Sequence, residues 1–258
     1  MILTLLPLAL LAATPAAPSP FNGIWMMDIA SIERPPVIAT FSLDDGIFSR
    51  GTDGPAFAVK ADGRVHVLAD DDGYVDAVAV TVLTSRRVRE VDFRRGRIVY
   101  VVTYTVAADR GTMAERVVDF SKPDGKPVPG VTMHVRVGRP EPGSPLNGQW
   151  RQSGVTTTRD HLTDRFRLVD NRFSDIGPGG SGYDAVIGGP PVPVRGDAPT
   201  ATTAVTMPDD RTIVEHAFTD GAPTMTKTMT LLPDGRTIRV VARLTAKGTE
   251  LVWLLRRQ

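Results

Sequence analysis

The chain has 258 residues, 30 of them basic and 29 acidic, for a net charge of +1. With both signs interspersed, that balance offers no footprint for a nucleic acid or an acidic partner. Cysteine is absent, which removes disulfides, thiolate nucleophiles, zinc-finger chemistry and a lipoprotein anchor together.

The first predicted element is the apolar run Met1–Ala17, which ends in Ala12-Ala13-Thr14-Pro15-Ala16-Ala17. It is too short to span a bilayer comfortably and closes on small residues, so residues 1–17 read as a secretory signal peptide. The expected location is periplasmic or secreted, with no integral membrane segment after cleavage.

From Ser19 onward the chain reads as strands with almost no helix signal. Gly23–Ala30 and Val37–Leu43 come first, separated by Pro35-Pro36. Asp44-Asp45-Gly46, Asp62-Gly63 and Asp72-Gly73 carry hairpin turn chemistry. Strands are then predicted at Val75–Leu83, Arg86–Phe93, Arg97–Ala107, Thr112–Phe120 and Val131–Val137. Gly138-Arg139-Pro140-Glu141-Pro142-Gly143 cannot continue a strand and marks a boundary.

Beyond that boundary the chain repeats itself. Ser19-Pro20-Phe21-Asn22-Gly23-Ile24-Trp25 returns as Ser144-Pro145-Leu146-Asn147-Gly148-Gln149-Trp150. In that register, without a gap, roughly 26 of about 94 positions are identical, against about six by chance. The chain is a tandem duplication: residues 18–139 form a first unit, 140–143 a linker and 144–258 a second unit. Eight or nine short strands per unit, joined by hairpins, predict an up-and-down antiparallel meander that closes to remove its edges. The second unit departs from the first between Gly177 and Pro199, a Gly/Pro-rich loop long enough to be functional or mobile.

Period two is clearest in the longest strand, where Ile98, Tyr100, Val102, Tyr104 and Val106 share a face. Its counterpart places Met225, Met229 and Leu231 on that face, with Lys227 in register with Val102. Tyr100, Tyr104, Met225 and Met229 are therefore candidates to line a cavity, or simply to pack a barrel interior. Arg86 and Glu90, like Arg211 and Glu215, lie four apart, which puts each pair on one face of a strand. They are read either as a luminal charged pair that orients a polar head group or as solvated surface charges. His66, His134, His161 and His216 show no metal-ligand spacing. Asp70-Asp71-Asp72-Gly73 lacks calcium-loop spacing, and Arg195-Gly196-Asp197 sits in the Gly/Pro loop. No nucleophile elbow or phosphate loop is present, so no catalytic residue, metal or cofactor is assigned.

A unit that opens on Asn-Gly-x-Trp and continues as a meander of hairpins resembles the lipocalin-like (calycin-type) barrels. The resemblance implies two consecutive lipocalin-like up-and-down barrels in an all-β chain. It also implies that Trp25 closes one barrel under Arg136 or Arg139, and Trp150 the other under Arg256 or Arg257. Such a cation–π contact contributes ~1–2 kcal/mol when shielded. The function this suggests is non-catalytic binding of a small apolar or amphipathic ligand inside the barrels. The alternatives are a structural or interaction module of the cell envelope and a barrel-mouth isomerase or hydratase.

Overall fold

A computed structural model describes residues 18–51, 57–69, 75–196, 200–245 and 248–258. The expected signal peptide, the Asp72-Gly73 turn and the Asp70–Gly73 acidic run lie outside them.

The turn signals do most of the architectural work. At Asp45-Gly46 both residues adopt positive φ, 50° and 74°, the twist that folds one strand directly back on the next. Repeated along the chain, such turns give antiparallel neighbours throughout. The first repeat supplies β1 (Gly23–Glu33), β2 (Ile38–Asp44), β3 (Ile47–Gly51), β4 (Phe57–Lys60) and β5 (Asp62–Val67). It continues with β6 (Ala77–Thr84), β7 (Arg87–Arg94), β8 (Arg97–Val106), β9 (Thr112–Asp119) and β10 (Val128–Val137). The second repeat supplies β11 (Gly148–Thr157), β12 (Thr163–Val169), β13 (Arg172–Ile176), β14 (Gly182–Val186) and β15 (Val192–Pro193). It ends with β16 (Thr202–Asp209), β17 (Thr212–Thr219), β18 (Ala222–Leu231), β19 (Thr237–Leu244) and β20 (Thr249–Arg257).

These strands form two nearly closed antiparallel barrels of 10 strands each, compatible in architecture with a lipocalin-like double barrel. The first runs in the order β4-β3-β2-β11-β10-β9-β8-β7-β6-β5, and the second β14-β13-β12-β1-β20-β19-β18-β17-β16-β15. Each has its own aromatic and aliphatic core, centred on Phe41, Phe48, Tyr104 and Trp150 in one and on Trp25, Phe166, Phe173 and Met229 in the other. Among the described residues, no helix is long and apolar enough to cross a membrane.

The topology corrects the division at residues 140–143. That boundary separates the repeats but not the barrels, because each barrel takes its tryptophan strand from the other repeat. β11 pairs with β2 and β10, whereas β1 inserts between β12 and β20. The first barrel is therefore contiguous from β2 to β11, and the second is completed by the earliest strand. The expected cation–π pairs are exchanged for the same reason: the Arg136 guanidinium lies 4.0 Å from the Trp150 ring and Arg257 4.6 Å from Trp25.

The Asn-Gly-x-Trp signature now has a physical role for each residue. Asn22 Oδ1 accepts from the Leu168 amide at 2.5 Å, and Asn147 Oδ1 from the Leu43 amide at 2.8 Å, each tying one repeat to the other. Gly148 has φ +116°, and a Cβ there would stand 2.8 Å from an Arg136 nitrogen, so only glycine admits the arginine. Each indole nitrogen donates to the carbonyl four residues earlier, Phe21 at 2.7 Å and Leu146 at 2.8 Å. Both tryptophans are 0% exposed.

Two local expectations fail. Asp62-Gly63 makes no hairpin; it begins β5, at the seam where β4 and β5 approach without pairing. Ile98 does not share the buried face, being 47% exposed while Val99 is buried. A register shift between Asp92 and Phe93 opposite β8 reverses the alternation there.

Candidate functional site

The luminal charges are the first thing the sequence pattern half shows. Glu90 on β7 and Glu215 on β17 occupy equivalent places and both point inward, 0% and 4% exposed. Their predicted partners do not. Arg86 is exposed in the two-residue turn between β6 and β7, and Arg211 in the turn between β16 and β17. A spacing of four puts two residues on one face only while the strand continues, and in each case it has ended. Arg211 instead donates to the carbonyls of Leu231, at 3.0 Å, and Leu232.

The true partners come from other strands and differ between the barrels. In the first, Arg50 on β3 grips Glu90 through Nε, at 3.0 and 3.2 Å, and a terminal nitrogen at 2.9 Å. The Tyr104 hydroxyl donates to Glu90 Oε2 at 3.0 Å. Asp92 sits nearby, and burial followed by the Glu90 charge pushes its carboxyl up to about 9. Position 175, the repeat mate of Arg50, is an aspartate, and the cation has moved to β18. There Lys227 Nζ lies 2.7 Å from Glu215 Oε2 and 3.1 Å from Asp175 Oδ2. Burial alone would discharge that lysine, but Glu215 and Asp175 outweigh it and hold the ammonium charged.

The two interiors also differ in packing. Tyr104 and Met229 are core residues, 2% and 0% exposed, so they fill the barrels rather than line a space. The mouth of the second barrel, however, opens into a cavity of about 360 Å³ lined by Asp164, Asp175, Tyr183, Glu215, Met225 and Lys227. Its rim is the divergent stretch after Gly177, where the structure forms β14 and β15 in place of the expected loop, with Arg195, and Lys122 reaches it from the first repeat. Gly177 leaves room for Asp164, whose Oδ1 would stand 2.9 Å from a Cβ there. Burial, then Asp175, pushes the Asp164 carboxyl up to about 7 despite the opposing lysine. Burial likewise raises Glu215 and Tyr183.

A larger cavity, about 570 Å³, lies between the barrels. Met27, Leu251 and Trp253 line it from the second barrel, and Tyr100, Val117 and Val131 from the first. Tyr100, which also packs against the core of the first barrel, thus borders this space as well. A short 3-10 turn, Arg159–Leu162, brings His161 and Leu162 to the same wall. Trp253 Nε1 and His161 Nδ1 are buried there without hydrogen-bond partners. Burial and the neighbouring Lys122 lower the His161 pKa, which favours the neutral ring.

Of the eight residues predicted from sequence, Glu215 and Met225 line the barrel-mouth cavity and Tyr100 the cleft. Glu90 and Tyr104 join a closed buried cluster, Met229 packs, and the two arginines stay outside. Sequence reasoning missed Arg50, Asp175, Asp164, Tyr183 and the whole cleft. Lys227 on an otherwise apolar face was the one available signal for the luminal charge cluster. In comparisons with known proteins, no family model and no curated protein matches the chain.

Proposed function

We propose that the chain is an exported, lipocalin-like binding protein that holds a small amphipathic ligand, and that the ligand sits between the barrels rather than inside them. The observation that carries this is the inter-barrel cavity itself. Its 570 Å³ falls within the ~300–1,000 Å³ usual for ligand pockets. Its walls are largely aliphatic and aromatic, with Arg34, Asp119, Gln152 and His161 interspersed to orient a guest. The unpartnered Trp253 indole N–H suits a ligand whose polar end accepts a hydrogen bond. The packed cores leave the luminal version of this reading without support.

Decanoate, titrated against the intact protein while tryptophan emission is followed, tests the reading. Saturable binding at one site is expected, and Leu251→Arg, which places a charge on the apolar wall, should abolish it. Binding that survives Leu251→Arg would remove the cleft from consideration.

One observation favours the barrel-mouth isomerase or hydratase as a second reading. Asp164, with its pKa pushed up to about 7, shares a cavity with Lys227, Glu215 and Tyr183. Solvent deuterium entering an added carbonyl compound, and ceasing to do so in Asp164→Asn, would decide for catalysis.

A further inference from the structure

Duplication has built one hairpin twice, with different residues at its tip. Arg94-Arg95-Gly96-Arg97 joins β7 to β8, and its repeat mate Thr219-Asp220-Gly221-Ala222 joins β17 to β18. Arg94 pairs with Arg97 just as Thr219 pairs with Ala222. The two tips share a backbone: φ is 51° at both Arg95 and Asp220, and 73° and 77° at the glycines that follow. Aspartate is among the residues enriched at positive φ, and arginine is not. The turn is made equally well without arginine, so the three arginines of the first repeat need another explanation.

They gather at a pocket. Antiparallel pairing sets Tyr100 opposite Asp119, and the Phe120 amide donates to the Val99 carbonyl at 2.8 Å. Arg97 and Ile98 thus run beside Ser121 and Lys122, and with Arg94 and Arg95 these four border a cavity of about 350 Å³. None of the described residues lining it is a carboxylate. Two acids touch lining residues from outside it: Asp76 accepts from the Arg95 amide at 2.5 Å, and Asp119 lies 3.4 Å from Lys122 Nζ. Ser121 is 8% exposed, and its amide donates to Asp119 Oδ1 at 2.7 Å. Its hydroxyl, however, is buried without a hydrogen-bond partner. Such an orphan is rare and points to a missing partner.

Beside so many cations, the group that accepts from this hydroxyl is an oxyanion. The planar fork of arginine matches phosphate oxygens two at a time. The rest of the rim is apolar, with Ile98 47% and Phe120 37% exposed. A nucleic-acid strand is a poor match, because these cations form one cluster rather than a groove that tracks successive phosphates. We infer that this pocket binds a phosphate monoester with an apolar substituent. Its oxyanion accepts from Arg95, Arg97 and the Ser121 hydroxyl, and its substituent lies against Ile98 and Phe120. A soluble aryl or alkyl phosphate and the head group of phosphatidic acid share that chemistry.

The test titrates the full-length protein by calorimetry, at neutral pH and low ionic strength, with inorganic phosphate, phenyl phosphate and phenol. Flotation with phosphatidylcholine vesicles, with and without phosphatidic acid, examines the lipid source. Phenyl phosphate should saturate one site about tenfold more tightly than inorganic phosphate, and phenol should not bind. Arg95→Asp combined with Arg97→Ala leaves a turn of the kind the second repeat already folds. Its melting temperature should hold while affinity falls about a hundredfold. Ser121→Ala should weaken binding about tenfold without lowering the melting temperature, since the free protein loses no hydrogen bond. Recruitment to phosphatidic acid vesicles that is lost in the double variant identifies the lipid source, and phenyl phosphate binding without recruitment identifies a soluble one. Leu251→Arg, in the inter-barrel cleft, should leave both readouts unchanged. Absence of saturation by either phosphate together with absence of recruitment, equal binding of phenol, or undiminished affinity in the double variant would overturn the assignment.

Discussion

Trp25→Ala is the sharpest test of the strand exchange, because it predicts damage in the repeat that does not contain the mutation. The side chain is 0% exposed and packs beside Phe166, ring centroids 6.3 Å apart. Its indole nitrogen donates to Phe21 at 2.7 Å, and Arg257 covers the ring at 4.6 Å. Truncation opens a cavity that a rigid barrel fills poorly, at a cost of ~3–5 kcal/mol. Losing the arginine contact adds ~1 kcal/mol. For a barrel of this size the sum corresponds to a fall in melting temperature of about 15–25 °C. Hydrogen exchange read by mass spectrometry locates the loss. Peptides within residues 163–257 should lose protection, while those within 38–157 keep it, although residue 25 belongs to the first repeat. Loss confined to 38–157 would refute the exchanged pairing, and unchanged protection everywhere would refute the closure role of the tryptophan.

Nicking the folded chain at a protease site placed within Glu141–Gly143 should leave both pieces together at the size of the intact protein. Halves expressed separately should lack stable β structure, and two independently folded halves would contradict the topology. Arg50→Met should cost about 3–5 kcal/mol by stranding the Glu90 carboxylate, read as a lowered denaturation midpoint of the first barrel. Asp92 is held protonated in the fold, with its carboxyl at about 9 against an ordinary 3.8. The unfolded chain releases that proton near pH 4 and the fold does not, so the group's contribution is full below about pH 4 and is lost as pH rises toward 9. Asp92→Asn should therefore stabilise the first barrel by about 2–4 kcal/mol at pH 8 and by little at pH 4, as measured by urea unfolding. Equal gains at both pH values would mean that the carboxyl ionises normally in the fold.

The architecture was legible because its signals are local. Two-residue turns and period-two alternation specify hairpins one at a time, and the ungapped repeat shows that one barrel implies another. Strand exchange leaves no such trace: Gly23–Glu33 has the same pattern whether it pairs with β2 or with β20. Only the fold shows that Leu168 and Leu43 take their asparagines from opposite repeats. The candidate site was legible in proportion to how far each residue acts within its own strand. Glu90 and Glu215 were found as a repeated position, with the lumen as one of two readings. Arg50 and Lys227 were not paired with them, since each arrives from a different strand across a lumen. The arginines at 86 and 211 failed because each strand begins one residue after them, at Arg87 and Thr212, a boundary finer than turn chemistry resolves. The cleft could not be read at all, being assembled from two barrels whose facing walls share no pattern.

The insertion of β1 between β12 and β20 also sets an order in time. As the chain is made, residues 38–157 can close the first barrel as soon as β11 emerges, because all its strands are consecutive. β1, synthesised earlier, finds Asp164 only when β12 appears and Arg257 only with the final strand. Through that interval its backbone donors and acceptors have no native partner, and the segment behaves as a tether with an open edge. Joining strands so distant in sequence makes the last closure the slow one. Refolding of the whole chain should thus show two phases, with Trp150 buried in the fast phase and Trp25 in the slow one.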